Sequence, residues 1–231
     1  MKPKGLLIVA TNNGKDHIKR LLRSMRDQGH SFKEWPLAIV DTGSTDLETL
    51  AYLKTIADQS KGRITLHNSD YSYDTGAYIW AYENFPEVDR FVFMHDSLEV
   101  KHAKWADAFV EAEHKQKAQA SGWLLFPFFF DNPEQQKFIT DIYGVNSLVP
   151  TFGIFGPIFS IRRKYLDQLR DKGYLNVFPD TKMEAQGFER GWMIGFNNLK
   201  LKVAAVEEAI FNDQLLTEDG YTHLRKHRPG R

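Results

Sequence analysis

Four short polar segments hold most of the side chains of this 231-residue chain that could do chemistry: residues 11–15, 41–46, 67–75 and 95–99. All four are rich in Asp, Asn, Ser, Thr and Gly, and three of them carry at least one carboxylate. Several common chemistries can be set aside. Lys15 follows a short apolar run, but its segment lacks the first glycine and the Ser or Thr of a phosphate-binding P-loop. The sequence has no Gly-x-Gly-x-x-Gly for a dinucleotide, no Gly-x-Ser-x-Gly elbow for a serine hydrolase and no His-Glu-x-x-His for zinc. With no cysteine, thiol nucleophiles, zinc ribbons and disulfides are excluded together. What remains is a set of acidic, hydroxyl-rich loops without a glycine phosphate cradle.

Regular elements must hold these loops in place. Residues 5–10 and 37–40 read as buried strands, 64–66 as a short third strand and 91–94 as a fourth. Between them, residues 16–28 place Ile18, Leu21, Leu22 and Met25 at helical spacing. A second helix follows residue 46, which Thr45 and Glu48 would open as a capping box, and residues 75–82 form a third. This alternation predicts one α/β domain with a Rossmann-like mixed, mostly parallel sheet flanked by helices. Ligands of such sheets sit beyond the carboxyl ends of the strands, where all four loops fall.

The second half is less regular. It reads as a helix over 102–120, a strand over 152–161, helices over 163–171 and 183–196, and a strand over 201–206. Gly187, Gly191 and Gly195 recur on one helical face. Each is unfavourable there by up to ~1 kcal/mol against alanine. They predict another backbone packed closely on that face, with a ligand lying there as the alternative.

Charge and hydropathy bound the partners. Thirty basic and thirty acidic residues cancel, so no global field points to nucleic acid. The apolar run at 6–10 is too short for a signal peptide. The most hydrophobic stretch, 123–130, is broken by Pro127 and falls well short of the ~20 residues that span a bilayer. The expectation is a soluble, cytoplasmic protein with its domain over residues 1–222. A frayed basic tail would follow over 223–231, with a weak peripheral contact to an anionic membrane as its alternative role.

The segment from 37 to 46, Leu-Ala-Ile-Val-Asp-Thr-Gly-Ser-Thr-Asp, closely resembles the second-strand signature of family-2 glycosyltransferases with the nucleotide-diphosphosugar transferase (GT-A) fold. Other pieces follow in that family's order. The first strand ends in Ala10, Thr11 and Asn12; Asn68, Gly76, Ala77 and Ala81 precede the fourth strand; residues 91–100 stand where the family has an apolar strand and Asp-x-Asp. Residues 155–163 resemble the acceptor-side strand, and 184–192 stand at the family's Glu-Asp region, so the resemblance spans residues 5 to 205.

The resemblance implies a sugar nucleotide as donor, held at Thr11, Asn12, Asp41, Gly43, Ser44, Gly76 and Asp96. Asp41 can accept from the imide N–H of a nucleobase, Gly43 and Gly76 permit close backbone approach, and Ser44 and Thr45 supply neutral donors. The departing diphosphate needs its charge neutralised, and carboxylate-held manganese or magnesium does this without proton transfer. Here the family commonly has two carboxylates, whereas this chain offers His95, Asp96 and Ser97; Asp96 would then bind the cation with His95 or water completing the shell. The resemblance places the base of an inverting transferase within 184–189, with Glu189 preferred and Glu184 as the fallback, unless Arg190 holds Glu189 in an ion pair. Trp192 could stack on a sugar ring, although most tryptophans serve the core. The expected activity is transfer of a sugar from a nucleotide-diphosphate donor to a hydroxyl of a glycan or lipid-linked acceptor. Two alternatives stay open: a sugar-nucleotide nucleotidyltransferase, for which residues 11–15 make a poor loop, and a non-catalytic GT-A binding module, favoured by the incomplete Asp-x-Asp.

Overall fold

The four apolar runs of the first hundred residues lie side by side and make one half of the sheet. The computed structural model describes residues 2–128, 132–144, 151–212, 215–216 and 220–227. The first half runs β1 (Leu6–Thr11), α1 (Lys15–Asp27), β2 (Leu37–Asp41), α2 (Leu47–Gln59), β3 (Ile64–Asn68), α3 (Tyr73–Asn84), β4 (Arg90–His95) and β5 (Leu98–Val100). It continues through α4 (Trp105–Gln116), β6 (Ala120–Phe128), α5 (Pro133–Tyr143), β7 (Thr151–Ile154), β8 (Phe159–Arg162), α6 (Arg163–Asp171) and α7 (Lys182–Asn198). The last elements are β9 (Val203–Glu207), β10 (Phe211–Asn212), β11 (Leu215–Leu216) and β12 (Leu224–Lys226).

Eight strands form one mixed sheet in the order β3-β2-β1-β4-β8-β6-β7, with β9 also paired to β6. The first four strands are mutually parallel; β8 runs antiparallel to β4, and β6 antiparallel to β8. This is the α/β architecture that the sequence implied. Period-two alternation explains why strands apolar on both faces sit here. Leu6, Ile8 and Ala10 of β1 face the core that includes Tyr78 of α3 and Phe188 of α7, whereas Leu7 and Val9 face Ile18, Leu21 and Met25 of α1. Among the described residues, no helix is long and apolar enough to cross a membrane.

Several local expectations change. The start of α2 is capped by Asp46, whose carboxylate accepts from Thr49 N at 2.9 Å, and not by Thr45. A capping box does occur, but at the start of α7, between Thr181 and Glu184. The helix expected over 102–120 covers only α4 and ends at Lys117, which takes a left-handed φ of +52°. The expected strand over 152–161 is two strands, β7 and β8, divided by a turn in which Gly156 has φ +58°. The glycine face of α7 is closely packed, but a backbone lies only against Gly187, where a Cβ would stand 3.5 Å from that of Gln135; a Cβ on Gly191 would instead meet the Tyr143 ring at 2.6 Å, and one on Gly195 the Leu169 side chain at 3.0 Å.

The largest difference is at the C-terminus. Residues 224–226 are not frayed; they pair antiparallel with β5, Leu224 opposite Val100 and Lys226 opposite Leu98. The cause is apolar burial reinforced by hydrogen bonds. Leu224 and Tyr221 are buried, and Glu207 accepts from Thr222 N at 2.6 Å and His223 N at 3.1 Å. Residues 228–231 of the expected tail lie outside the described residues.

Candidate active site

The parallel strands bring the ends of β1, β2 and β4 level with one another. Thr11 is in register with Asp41, and Ala10 with His95. Directly beyond them opens a cavity of about 730 Å³, lined by residues of six separate segments, among them Thr11, Asn12, Asp74, His95, Asp96 and Lys226. A smaller pocket of about 170 Å³ adjoins it, shares Tyr73, Asp74 and Lys182 with it, and ends at Glu189.

Asp96 is fixed at the floor of the larger cavity. Its N–H donates to Ala10 O at 3.1 Å, and its Oδ2 accepts from Thr11 Oγ1 at 2.6 Å. Gly14, at the start of α1, makes room for this carboxylate, since a Cβ there would stand 1.9 Å from Asp96 Oδ2. Burial pushes the Asp96 carboxyl up to about 7; the Thr11 hydroxyl pulls it back down, and nearby Asp74 adds to the rise. Asp74, in the first turn of α3, is itself raised by burial and lowered by Lys226.

Glu189 lies on α7 facing Gly156. Burial raises its carboxyl from 4.5 to about 7, Asp74 adds to the rise, and Lys226, Arg190 and the Gly156 amide partly offset it. Arg190 turns its Nη1 to Gln135 Oε1 at 2.7 Å. Tyr78, fully buried and stacked on Phe93, has its hydroxyl held well above its ordinary value by burial and by the charges of Asp74, Glu189 and Asp96. That hydroxyl has no hydrogen-bond partner among the described residues. Three carboxyls and a phenol therefore share one electrostatic environment; of the two lysines on the cavity wall, Lys182 and Lys226, it is Lys226 whose charge acts on Asp74 and Glu189.

Of the residues expected to hold a nucleotide sugar, Thr11, Asn12 and Asp96 line the cavity, and Asp41, Gly43, Ser44 and Gly76 do not. Asp41 is buried and engaged by its own turn: it accepts from Ser44 N at 3.1 Å and from the Ser44 hydroxyl. Gly43 serves that turn with φ +97°. Gly76 is needed against the protein itself, as a Cβ there would meet Tyr71 Cβ at 2.7 Å. Asn13, which the sequence did not single out, ties the first two loops together by accepting from Thr45 N and Asp46 N, both at 2.9 Å.

Glu184 lies apart from Glu189 in role, because its carboxylate accepts from Asp180 N at 2.8 Å and Thr181 N at 3.3 Å in the capping box. Trp192 is buried among Phe159, Phe188 and Phe196 and presents no face for a sugar. His95 contributes a wall of the cavity, yet its Nδ1 bonds Ser97 Oγ at 2.8 Å. Its Nε2 is enclosed near Gly156, where burial and the Lys226 charge hold the ring neutral, well below the ordinary 6.5.

Asp74 and Lys226 are the residues that sequence reasoning missed. Asp74 stands in the polar segment 67–75, so its loop was visible although its role was not. Nothing near Lys226 in sequence signals its place, which depends on pairing with a strand 126 positions or more away.

No family model matches the sequence, and no curated protein matches it significantly. Solved structures do match. The mannosyltransferase PcManGT from Pyrobaculum calidifontis, in complex with GDP-Man and Mn2+, matches with a TM-score of 0.57 at 15% identity, over 94% of this chain and 56% of that one. TarS 1–349 from S. aureus matches at 0.54 and 14% identity, over 91% of this chain and 58% of that one; it has also been solved with UDP. GalNAc-T7 with UDP, GalNAc and Mn2+ matches at 0.54 and 11% identity, over 82% and 40%. The chain thus has the GT-A fold of nucleotide-sugar glycosyltransferases. It spans roughly half the length of the first two structures, and less of the third.

Proposed function

We propose that this protein is a glycosyltransferase that binds a nucleoside-diphosphate sugar in the 730 Å³ cavity and transfers the sugar to an acceptor hydroxyl beside Glu189. The observation that carries the reading is the continuity of the two pockets. The larger one has the Asp96 carboxylate at its floor, and the smaller one ends at a carboxyl poised near neutral pH. A general base works best when its pKa lies near the working pH, and Glu189 meets that condition. Thr11 fixes the rotamer of Asp96, while Asn12 and Thr42, joined at 3.0 Å, form the wall on which the donor would rest. The acceptor is proposed to be a glycan or lipid-linked hydroxyl entering past Tyr73 and Lys182.

The acidic pair also fits a divalent cation. No group of three His, Asp or Glu side chains among the described residues is placed to hold one alone. Asp74 nevertheless stands near enough to Asp96 to raise its carboxyl, which suits a cation that takes its remaining oxygens from phosphate. Such a manganese or magnesium ion would neutralise charge on the departing diphosphate. His95 is left out of this set, because its Nδ1 is committed to Ser97 and its enclosed Nε2 faces a lysine charge.

A nucleotidyltransferase is less well served, since Lys15, the cation after β1, is paired with Glu48. The experiment is a thermal-shift and calorimetric screen of UDP, GDP, CMP and dTDP with and without manganese, followed by transfer assays with the sugar nucleotides of the best binder. Stabilisation by one diphosphate, through mass action on the native state, is the expected result. No shift with any of them would overturn the donor reading.

A further inference from the structure

We propose that Lys226 is the fixed cation of the donor site, delivered by the C-terminal strand β12 to meet the diphosphate of a nucleoside-diphosphate ligand, so that diphosphate binding survives removal of divalent metal. The inference rests on the donor reading above and adds to it the residue and segment that make the phosphate subsite.

The placement of Lys226 is built. β12 pairs with β5, the strand that follows Asp96 and Ser97. Both flanks of that pairing are bolted down: Lys101 N donates to His223 O at 2.9 Å, and His227 N donates to Ser97 O at 2.7 Å. The His227 ring meets Glu99 Oε2 at 2.7 Å, and Leu224 is fully buried. The Lys226 side chain then crosses the Phe155 ring, with Nζ 4.8 Å from its centroid, and enters the cavity wall. Gly156 opens the space it occupies, since a Cβ there would stand 2.7 Å from Nζ. A left-handed glycine, an aromatic platform and a paired strand together hold one ammonium in one place.

That ammonium is not spent on the protein. None of the ion pairs among the described residues includes Lys226. Its field nonetheless reaches Asp74, Glu189 and His95. A positive charge amid carboxyls it does not touch, on the wall of a cavity with Asp96 at its floor, suits an anion that would otherwise be repelled. Inorganic charge of that kind is the diphosphate, not the nucleoside.

The test separates the two. UDP, GDP, uridine and guanosine are titrated in EDTA against wild type, Lys226→Met and Lys226→Arg, with melting curves on the same preparations. Wild type should bind the diphosphate in EDTA. Lys226→Met should weaken it by roughly tenfold to a hundredfold, leave the matching nucleoside unchanged, and Lys226→Arg should restore most of the loss. If Lys226→Met melts too low to titrate, Lys226→Gln carries the same comparison. A diphosphate affinity that does not change without the charge, or a parallel loss for diphosphate and nucleoside, would overturn the assignment while leaving the donor reading intact. Failure of wild type to bind either diphosphate, in EDTA or manganese, would instead overturn the donor reading and this inference with it.

Discussion

Replacing Glu189 by glutamine should make the protein more stable and nearly inactive at once. Burial moves this carboxyl from 4.5 to about 7, so the folded chain keeps its proton over a range in which the unfolded chain has lost it. The stabilising contribution of that protonated state is complete below about pH 4.5 and is lost as the pH rises through about 7. For a fully enclosed group the loss would be about 3 kcal/mol; Glu189 is half-buried, and about 2 kcal/mol is the better figure. Glutamine has the shape of the protonated acid and never ionises. Glu189→Gln should therefore match wild type near pH 4 and melt about 4–8 °C higher at pH 8. If Glu189 takes the acceptor proton, sugar transfer should fall by ~10²–10⁴-fold, with donor affinity little changed. The wild-type rate should also rise with pH through about 7 as the carboxylate forms. Scanning calorimetry at the two pH values and initial rates on one preparation test all of this. A lower midpoint at pH 8 would show that the ionised carboxylate is held favourably, as an Arg190 partner would be. Full activity would place the base elsewhere.

Three further outcomes follow from the geometry. Manganese should raise the affinity for the bound diphosphate in wild type, and Asp96→Asn should abolish that increment; calorimetry showing equal increments would remove Asp96 from a cation site. Gly14→Ala would place a methyl 1.9 Å from Asp96 Oδ2 and 2.5 Å from Thr11 Oγ1, costing about 1–3 kcal/mol in urea melts and weakening diphosphate binding; an unperturbed variant would mean that Asp96 moves freely. Asp41→Ala strips the Ser44 N–H and hydroxyl of their acceptor and should destabilise by about 1–3 kcal/mol; a binding defect without any change in melting would return Asp41 to the nucleobase.

The sequence showed which loops reach the cavity better than it showed how each side chain there is bonded. Alternating strands and helices place the ends of β1, β2 and β4 on one edge whatever the identities of their residues, so Thr11 and Asp96 were legible. The assignment of Asp41 to a nucleobase did not anticipate that a short Asp-x-x-Ser turn satisfies itself. Its carboxylate bonds the residue three positions on, a local choice that competes with any ligand. Glu184 shows the same competition at a helix start, where an acid three residues past a threonine caps the backbone. Glu189, one turn further into α7, has no such local partner and keeps its carboxyl for the pocket.

What could not be read was long-range pairing. β5 has only three residues, and β12 has three more with basic neighbours, so neither carries a periodic signal of its own. Their meeting depends on burial of Leu224 and Tyr221 against a core that the earlier strands create. β1 and β2 pair across one helical crossover, whereas β12, at the far end of the chain, finds its partner in β5. The acidic wall of the cavity therefore belongs to the first half of the chain, and the opposing lysine arrives from its last strand. A segment whose composition resembles a tail thus completes the cavity, because the positive charge that acts on Asp74 comes from residue 226.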